Sequence, residues 1–411
     1  MTLGLFAGYG IELEYMIVDR DTLAIRPICD VLLREIAGAQ VNEVEAGPLR
    51  LSNELALHVV ELKTNGPAPD LGALPAAFAK GVIDVDDRLA VHGAMLLPGA
   101  MHPTMLPDEG VLWPHDNRPI YAAYDRVFGT QGHGWVNLQS CHVNLPFSGD
   151  DEFGRLHAAV RAVLPLLPAL AASSPVFEGR LADVADMRLE VYRGNQRRIP
   201  SIIGKVVPEP VWTRADYERE VLAPMYRDIA PFDPDGELQD EWLNSRGAIA
   251  RFDRDAIEIR VLDTQERPTA DLAIAALVSA VTRALVEARF VPLAELQALA
   301  TDPLADLFVA VVRGAETTVV DHVPLLRALG WDGPPVTAGE LWGSLVAKLW
   351  PAAESAVPRR FRDAIAVILR KGTLSRRIRD RIGDAPTRAV IDDVWHELAA
   401  CLVEDRAFAG R

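Results

Sequence analysis

Residues 10–19 read Gly-Ile-Glu-Leu-Glu-Tyr-Met-Ile-Val-Asp, with apolar and polar side chains alternating. A period of two belongs to a strand with unlike faces. Ile11, Leu13, Tyr15 and Ile17 form one face; Glu12, Glu14 and Met16 form the other. The first face needs apolar cover, so the chain must bring helices to that side of a sheet. The second sets two carboxylates close together, where like charges repel unless cations lie between them. A solvated acidic face is the plain reading of an isolated Glu-x-Glu. Three further strand-like segments with polar groups point instead to a shared site.

Residues 54–63 read as a second strand carrying Glu54 and Glu61. An odd separation puts them on opposite faces, so both reach one site only if Glu54 starts the strand or a bulge intervenes. Leu96–Met101 reads as a short third strand and residues 135–145 as a fourth. On the fourth, Ser140, His142 and Asn144 share a face, so His142 is either a satisfied core histidine or a ligand contact. Ala248–Phe252 and Ala256–Asp263 read as a hairpin around Asp253-Arg254-Asp255. In its second arm Ile257, Ile259 and Val261 oppose Glu258, Arg260 and Leu262, repeating the design of the opening strand.

Helical spacing marks residues 30–37, 70–92, 121–128 and 151–172. From residue 269 it continues over about 270–290, 292–313, 323–329, 338–349, 355–370, 374–382 and 386–404. A single domain over 1–411 is expected, with a sheet-bearing core (1–290) and a helical C-terminal part (291–411). The segment 106–119, rich in Pro and Gly, reads as a loop whose His115, Asp116 and Arg118 are solvated or cover a site. Two stretches are basic: 180–214, with Arg180, Arg188, Arg193, Arg197, Arg198, Lys205 and Arg214, and 370–381, with Lys371, Arg376 and Arg377. Each reads as a solvated face or as an anion-binding surface.

The formal charge of −16 argues against a general nucleic-acid-binding protein. Cys29, Cys141 and Cys401 lie far apart and form neither a disulfide framework nor a zinc spacing. No basic region precedes an apolar run at the N-terminus, and Arg283 and Glu287 interrupt the longest apolar helix, so a cytoplasmic protein without a membrane span is expected. Gly8-x-Gly10 lacks the third glycine of a dinucleotide fingerprint, and no Gly-rich Lys-Ser/Thr loop or Gly-x-Ser-x-Gly occurs.

Glu12, Glu14, Glu61, His142 and Glu258 are hard oxygen ligands plus one imidazole, a set that suits Mg²⁺ or Mn²⁺. Such carboxylates hold divalent ions that in turn hold polyphosphate, and arginines neutralise a phosphoryl group in transit. That is the inventory of an ATP-using enzyme on an antiparallel sheet. A two-metal phosphoester hydrolase or an inactive binding relative would use the same face; Arg260 and the basic C-terminal motif favour an intact nucleotide.

The ordered segments GIELEYMIVD (10–19), ELALHVVELKT (54–64), AMHP (100–103), CHVNL (141–145), SSPVFEGR (173–180) and ARFDRDAIEIRVLDTQ (250–265) resemble the glutamate–cysteine ligase type 2 family. These carboxylate–amine ligases belong to the glutamine-synthetase-like superfamily; ILRKGTLSRRIRD (368–380) resembles their C-terminal basic motif more loosely. The resemblance implies an α+β fold: a curved antiparallel sheet with the active site on its concave face and helices outside. It also implies an ATP- and Mg²⁺- or Mn²⁺-dependent ligase. There a carboxylate, glutamate in the best-known members, takes the γ-phosphate as an acyl phosphate, and an amine such as cysteine's attacks it. Carried over by residue, Glu12, Glu14, Glu54, Glu61, His142 and Glu258 are metal ligands, and Arg260 stabilises the phosphoryl group. Arg188 and Arg251 are candidates for contacts to the substrate carboxylate or phosphate, Arg251 with Arg260 in the catalytic set, and Lys371, Arg376 and Arg377 for reaching the nucleotide. The implied partners are small-molecule acids and amines such as amino acids, with no nucleic acid or membrane, and a homo-oligomer is compatible. One position departs: members of the family often carry Gln two residues before the histidine, and here it is Ser140, with Gln139 one place earlier. The identities of acid and amine stay open.

Overall fold

The structure, a computed structural model, describes residues 3–116, 118–351 and 357–410. One eight-stranded antiparallel sheet organises it. Its strands are β1 (Gly10–Asp19), β2 (Glu43–Ala46), β3 (Leu49–Asn53), β4 (Val59–Thr64), β5 (Ala94–Leu97) and β6 (Ser140–Pro146). After a separate small hairpin, β7 (Val176–Phe177) and β8 (Arg180–Leu181), it is completed by β9 (Ala248–Arg251) and β10 (Ala256–Asp263). The order is β2-β3-β4-β1-β6-β10-β9, with β5 beside β1. β1 is the hub: it pairs with β4 over Glu12–Met16, with β6 over Gly10–Leu13 and with β5 over Met16–Asp19.

The apolar face of β1 is buried as its alternation requires; Ile11, Leu13, Tyr15 and Ile17 are fully enclosed. They join one apolar core with Phe78 and Val82 of the helix Leu74–Ala90, Leu156 of Gly149–Val163 and Ile274 of Pro268–Val286. Each such side chain contributes about 1.5–3 kcal/mol on burial. Pro268–Val286, with mean hydropathy 1.6, is long and apolar enough to cross a membrane, but 83% of its apolar window is buried inside the protein.

The opposite face of β1 is divided. Glu12 and Glu14 face a cavity, whereas Met16 and Val18 join Met95, Leu97, Leu374, Ile378 and Trp395 in a second apolar cluster. The helices Leu374–Ile382 and Arg388–Val403 cover that half.

Several elements differ from the expectation. Residues 54–58 are not strand; β4 begins at Val59, and β3 runs back beside it. Neither β2 nor β3 carries an alternation long enough to announce itself. The third strand is Ala94–Leu97, and the fourth begins at Ser140 after a short helix, His133–Val136. The helix expected over 151–172 breaks into Gly149–Val163, a tight turn Leu164–Leu166 and Pro168–Ala171, because Pro165 and Pro168 lack the N–H that continues a helix. The first residues of the helix expected at 355–370 lie outside the described residues; the helix is described from Arg359 to Lys371.

Leu262 is the informative departure. The β6–β10 register shifts between Ile259 and Leu262, so Leu262 pairs with Cys141 and Asp263 with Ser140. A bulge flips the parity of every residue after it. Leu262 therefore turns to the core with Cys141, and Asp263 joins Glu258 and Arg260 on the inner face.

Candidate active site

The inner-face residues line a cavity of about 480 Å³. Four adjacent strands, β4, β1, β6 and β10, supply its central carboxylates and His142. Glu12 pairs across β1 and β6 with His142 and across β1 and β4 with Lys63, while Glu14 lies opposite Glu61. β10 adds Glu258, opposite Asn144. At Gly10 the strands approach so closely that a Cβ would lie 2.9 Å from the Asn144 Cβ, so a glycine is needed there. A second compartment of about 620 Å³ shares Glu12, Glu43, Lys63 and Arg254 with the first and extends past Gly8, Gly10 and Pro67.

The carboxylates are held in place. Glu12 takes hydrogen bonds from His142 Nδ1 at 2.9 Å and Asn144 Nδ2 at 3.0 Å. Glu14 accepts from the Ser140 backbone N–H at 2.7 Å and its hydroxyl at 3.0 Å, and that hydroxyl is 2.9 Å from His142 Nε2. Glu61 accepts from Ser52 and pairs with Lys63. Arg260 donates to Glu258, with its Nε at 3.0 Å, and Arg251 Nη1 lies 3.5 Å from the other oxygen.

The electrostatics follow from crowding. Burial, with the charge of Glu12, lifts Glu61 to about 7 against the pull of Lys63. Burial, Glu14 and Glu61 push Glu54 well up. For Glu12 burial acts upward too, but the His142 hydrogen bond and charge outweigh it and hold the carboxyl well below its usual range. Burial opposes charge on His142; the hydrogen bond with Glu12 and the charges of Glu14, Glu12 and Glu258 overcome it and raise the imidazole to about 9. Carboxylates that crowd this closely and resist ionising are short of positive charge.

Two ligand sets fit that shortage. One oxygen or nitrogen atom each from Glu12, Glu61 and His142 lie within 4.8 Å of one another, as do oxygens of Glu14, Glu54 and Glu61. Glu61 is common to both, so the sets sit side by side with a shared carboxylate. Hard donors at this spacing suit Mg²⁺ or Mn²⁺. Glu54 reaches the cluster from the loop after β3, which resolves the parity problem without a bulge.

Residues 9–400 match glutamate-cysteine ligase family 2. The chain belongs to this family. Among its relatives, an uncharacterized protein of Archaeoglobus fulgidus is 38% identical over 279 residues, 68% of this chain and 74% of that one. A putative glutamate–cysteine ligase 2-1 of Nocardia farcinica is 27% identical over 94% of this chain and 91% of its own. The fold is also that of a crystal structure of glutamate–cysteine ligase from Francisella tularensis in complex with AMP, with TM-score 0.60, 14% identity, and coverage of 98% of this chain and 89% of that one. A bifunctional glutathione synthetase from Pasteurella multocida aligns with TM-score 0.53 and 13% identity over 98% of this chain and 52% of that one. The α+β architecture expected from the sequence is the architecture of these ligases.

In this member of glutamate-cysteine ligase family 2, the structure brings nine of the twelve site candidates to the cavity: Glu12, Glu14, Glu54, Glu61, His142, Glu258, Arg260, Arg251 and Arg188. Arg188 is buried, its Nε engaged by Asp263 at 2.5 Å. Asp263 also accepts from the Ser173 N–H at 2.8 Å and the Ser174 hydroxyl at 3.1 Å. The other basics of 180–214 do not line the cavity; Arg193 pairs with Glu190, Lys205 with Asp302 and Arg214 with Glu218.

Lys371, Arg376 and Arg377 do not meet the acidic cluster. They line a separate concavity of about 450 Å³ with Glu316, Asp380 and Gly410. Arg377 is buried and bound to Glu266 through Nη1 at 2.9 Å and to the Phe408 carbonyl at 2.7 Å. Lys371 donates to the Ala409 carbonyl and Arg376 pairs with Asp380. Apolar contacts from Leu374 and Ile378 commit this helix to the Met16 half of the sheet, which turns its basics outward or into structural ties. His115, in the 106–119 loop, pairs with Asp30 at 3.0 Å rather than covering the cavity.

Sequence reasoning missed Lys63 and an aromatic wall of Tyr121, Tyr124, Trp135, Tyr192 and Trp242 in the cavity, and Asp263 behind Arg188. The Tyr124 ring centre lies 5.2 Å from Trp135 and 5.8 Å from Trp242. Lys63 had a signal: it stands two residues after Glu61 on one strand and so shares its face. Asp263 had none, because its orientation depends on the bulge.

Proposed function

We propose that this protein is an ATP-dependent ligase that joins a small-molecule carboxylate to an amine through an acyl phosphate. The observation that carries the reading is the pair of ligand sets sharing Glu61, with Arg260 and Arg251 clasping Glu258 beside them. Family membership and the AMP-bound fold neighbour support it. Glu12, Glu61 and His142 would hold one divalent ion and Glu14, Glu54 and Glu61 another; bound there, the ions would supply charge to orient and polarise the polyphosphate. His142 would ligate as a neutral imidazole, so metal binding there would release the proton its acidic neighbours favour.

In this reading an oxygen of the acid attacks the γ-phosphorus and ADP leaves. The amine nitrogen then attacks the carbonyl carbon, the C–O bond to phosphate breaks, and the nitrogen gives up a proton. Arg260, fixed by Glu258, and Arg251, fixed by Asp253 with Glu258 3.5 Å away, would meet the charge that gathers on the phosphoryl oxygens. Arg188, held by Asp263 through Nε and by the Arg260 carbonyl through Nη1 and Nη2, would present its remaining N–H groups to the acid's carboxylate.

The test is ADP release from ATP and Mg²⁺ across a panel of amino acids offered singly and in pairs. Turnover that requires one acid and one amine, with the amide identified by mass spectrometry, is the expected result. Amine-independent turnover of a phosphoester would make the protein a phosphoester hydrolase instead, and ATP binding without any turnover would make it a binding relative.

A further inference from the structure

Lys63 is the one lysine lining the acidic cavity among the described residues. Its Nζ lies 2.9 Å from Glu61 Oε2 and 3.0 Å from Glu43 Oε2, so it bridges the carboxylate common to both ligand sets and one on β2. Its side chain retains 26% exposure, and it lines both compartments of the trough. The carboxylates it bridges differ. Glu61 is buried, whereas Glu43 is exposed on β2, the edge strand of the sheet.

An ammonium and a divalent cation on the same carboxylate repel each other strongly. Lysine has a flexible stem and three rotatable donors, so it can leave one partner while keeping another. We propose that Lys63 is a resident counter-ion of the metal site. It neutralises Glu61 while no metal is bound, gives way when a divalent cation takes that carboxylate, and then, still tethered at Glu43, contacts the polyphosphate of the nucleotide. Its place at the junction of the two compartments is where a polyphosphate reaching the metals from the second compartment would pass. The inference rests on the ligase reading and adds an exchange of one cation for another at Glu61.

A fixed structural salt bridge and a displaceable counter-ion predict opposite signs. The test measures Mn²⁺ binding by electron paramagnetic resonance and ATP binding by equilibrium dialysis at saturating Mg²⁺, in the full-length wild type, Lys63→Met and Lys63→Gln. Removing a competing cation should tighten Mn²⁺ binding about fivefold or more. Removing a phosphate contact should weaken ATP binding by a similar factor. Lys63→Arg, whose planar fork holds both carboxylates, should bind Mn²⁺ more weakly than Lys63→Met. If both neutral variants weaken Mn²⁺ and ATP together, or leave Mn²⁺ binding unchanged, Lys63 is a structural tie and the inference fails while the ligase reading stands. If the wild type binds neither Mn²⁺ nor ATP, the ligase reading fails first.

Discussion

The two halves of the inner face of β1 differ by four residues of chain and by everything else. At Glu12 and Glu14 the strand meets further carboxylates, and the face stays an open trough. At Met16 and Val18 it meets Met95, Leu97 and Trp395, and two C-terminal helices close over it. Covering the first half with protein would strip water from uncompensated carboxylates, which is costly; covering the second removes apolar surface from water, which is favourable. The same strand thus anchors a site at one end and fastens the C-terminal helices at the other.

The largest effect should come from breaking the polar half. Glu12→Ala or Glu258→Ala is expected to cut acid- and amine-dependent ADP release by about 100-fold or more with the fold retained, because neither side chain lies on the apolar face. Loss of folding, with native specific activity in whatever remains soluble, would reverse the face assignment.

The apolar half should respond in stability instead. Trp395 is almost fully enclosed, and Trp395→Ala should cost about 3–5 kcal/mol, read as a lower denaturant midpoint. Purified folded variant should keep a native KM for ATP. A selective rise in that KM would mean that the two halves are coupled.

A smaller, shared effect is expected at Gly10, where a Cβ would crowd Asn144 and through it Glu12. Gly10→Ala should cost roughly 1–3 kcal/mol and weaken Mn²⁺ binding. Unchanged metal affinity would show that Asn144 does not set the orientation of Glu12.

The pH dependence sharpens the same comparison. His142 is raised to about 9 from 6.5 by its acidic neighbours after burial is overcome. The folded state then binds that proton more tightly than the unfolded chain. Its contribution is full below pH 6.5 and is lost as pH rises toward 9. The metal-free protein should therefore lose thermal stability between pH 7 and 9. Saturating Mg²⁺ should flatten the loss, since neutral imidazole is the ligating form. Scanning calorimetry with and without metal reads both curves, and a flat metal-free profile would refute the charge state assigned to His142.

The smallest effect belongs to the separate basic concavity. Arg376 is an exposed partner of Asp380, so Arg376→Ala should change stability by less than about 1 kcal/mol and leave ATP binding unaltered. Weakened ATP binding there would bring this segment back to the nucleotide.

Much of the site was legible because strands enforce parity. Glu12 and Glu14 on β1, and Glu258 and Arg260 on β10, alternate with residues that bury, and the structure keeps all four together. What escaped was whatever depends on a second strand or helix. β3 and the loop after it bring Glu54 to the cluster. The bulge in β10 sends Asp263 inward to hold Arg188, where unbroken alternation would send it to the core. The basics of 370–381 are close in sequence, yet Arg377 ends in a buried pair with Glu266, more than a hundred residues away.

The sequence by itself determined which strands could carry carboxylates and which faces had to be buried, because a residue's face on a regular strand follows from counting. The tertiary structure alone decided which carboxylates share a cation site, which arginine is fixed by which acid, and where the C-terminal helices dock. Those depend on register, bulges and long-range packing, in which a shift of one residue exchanges one face for the other.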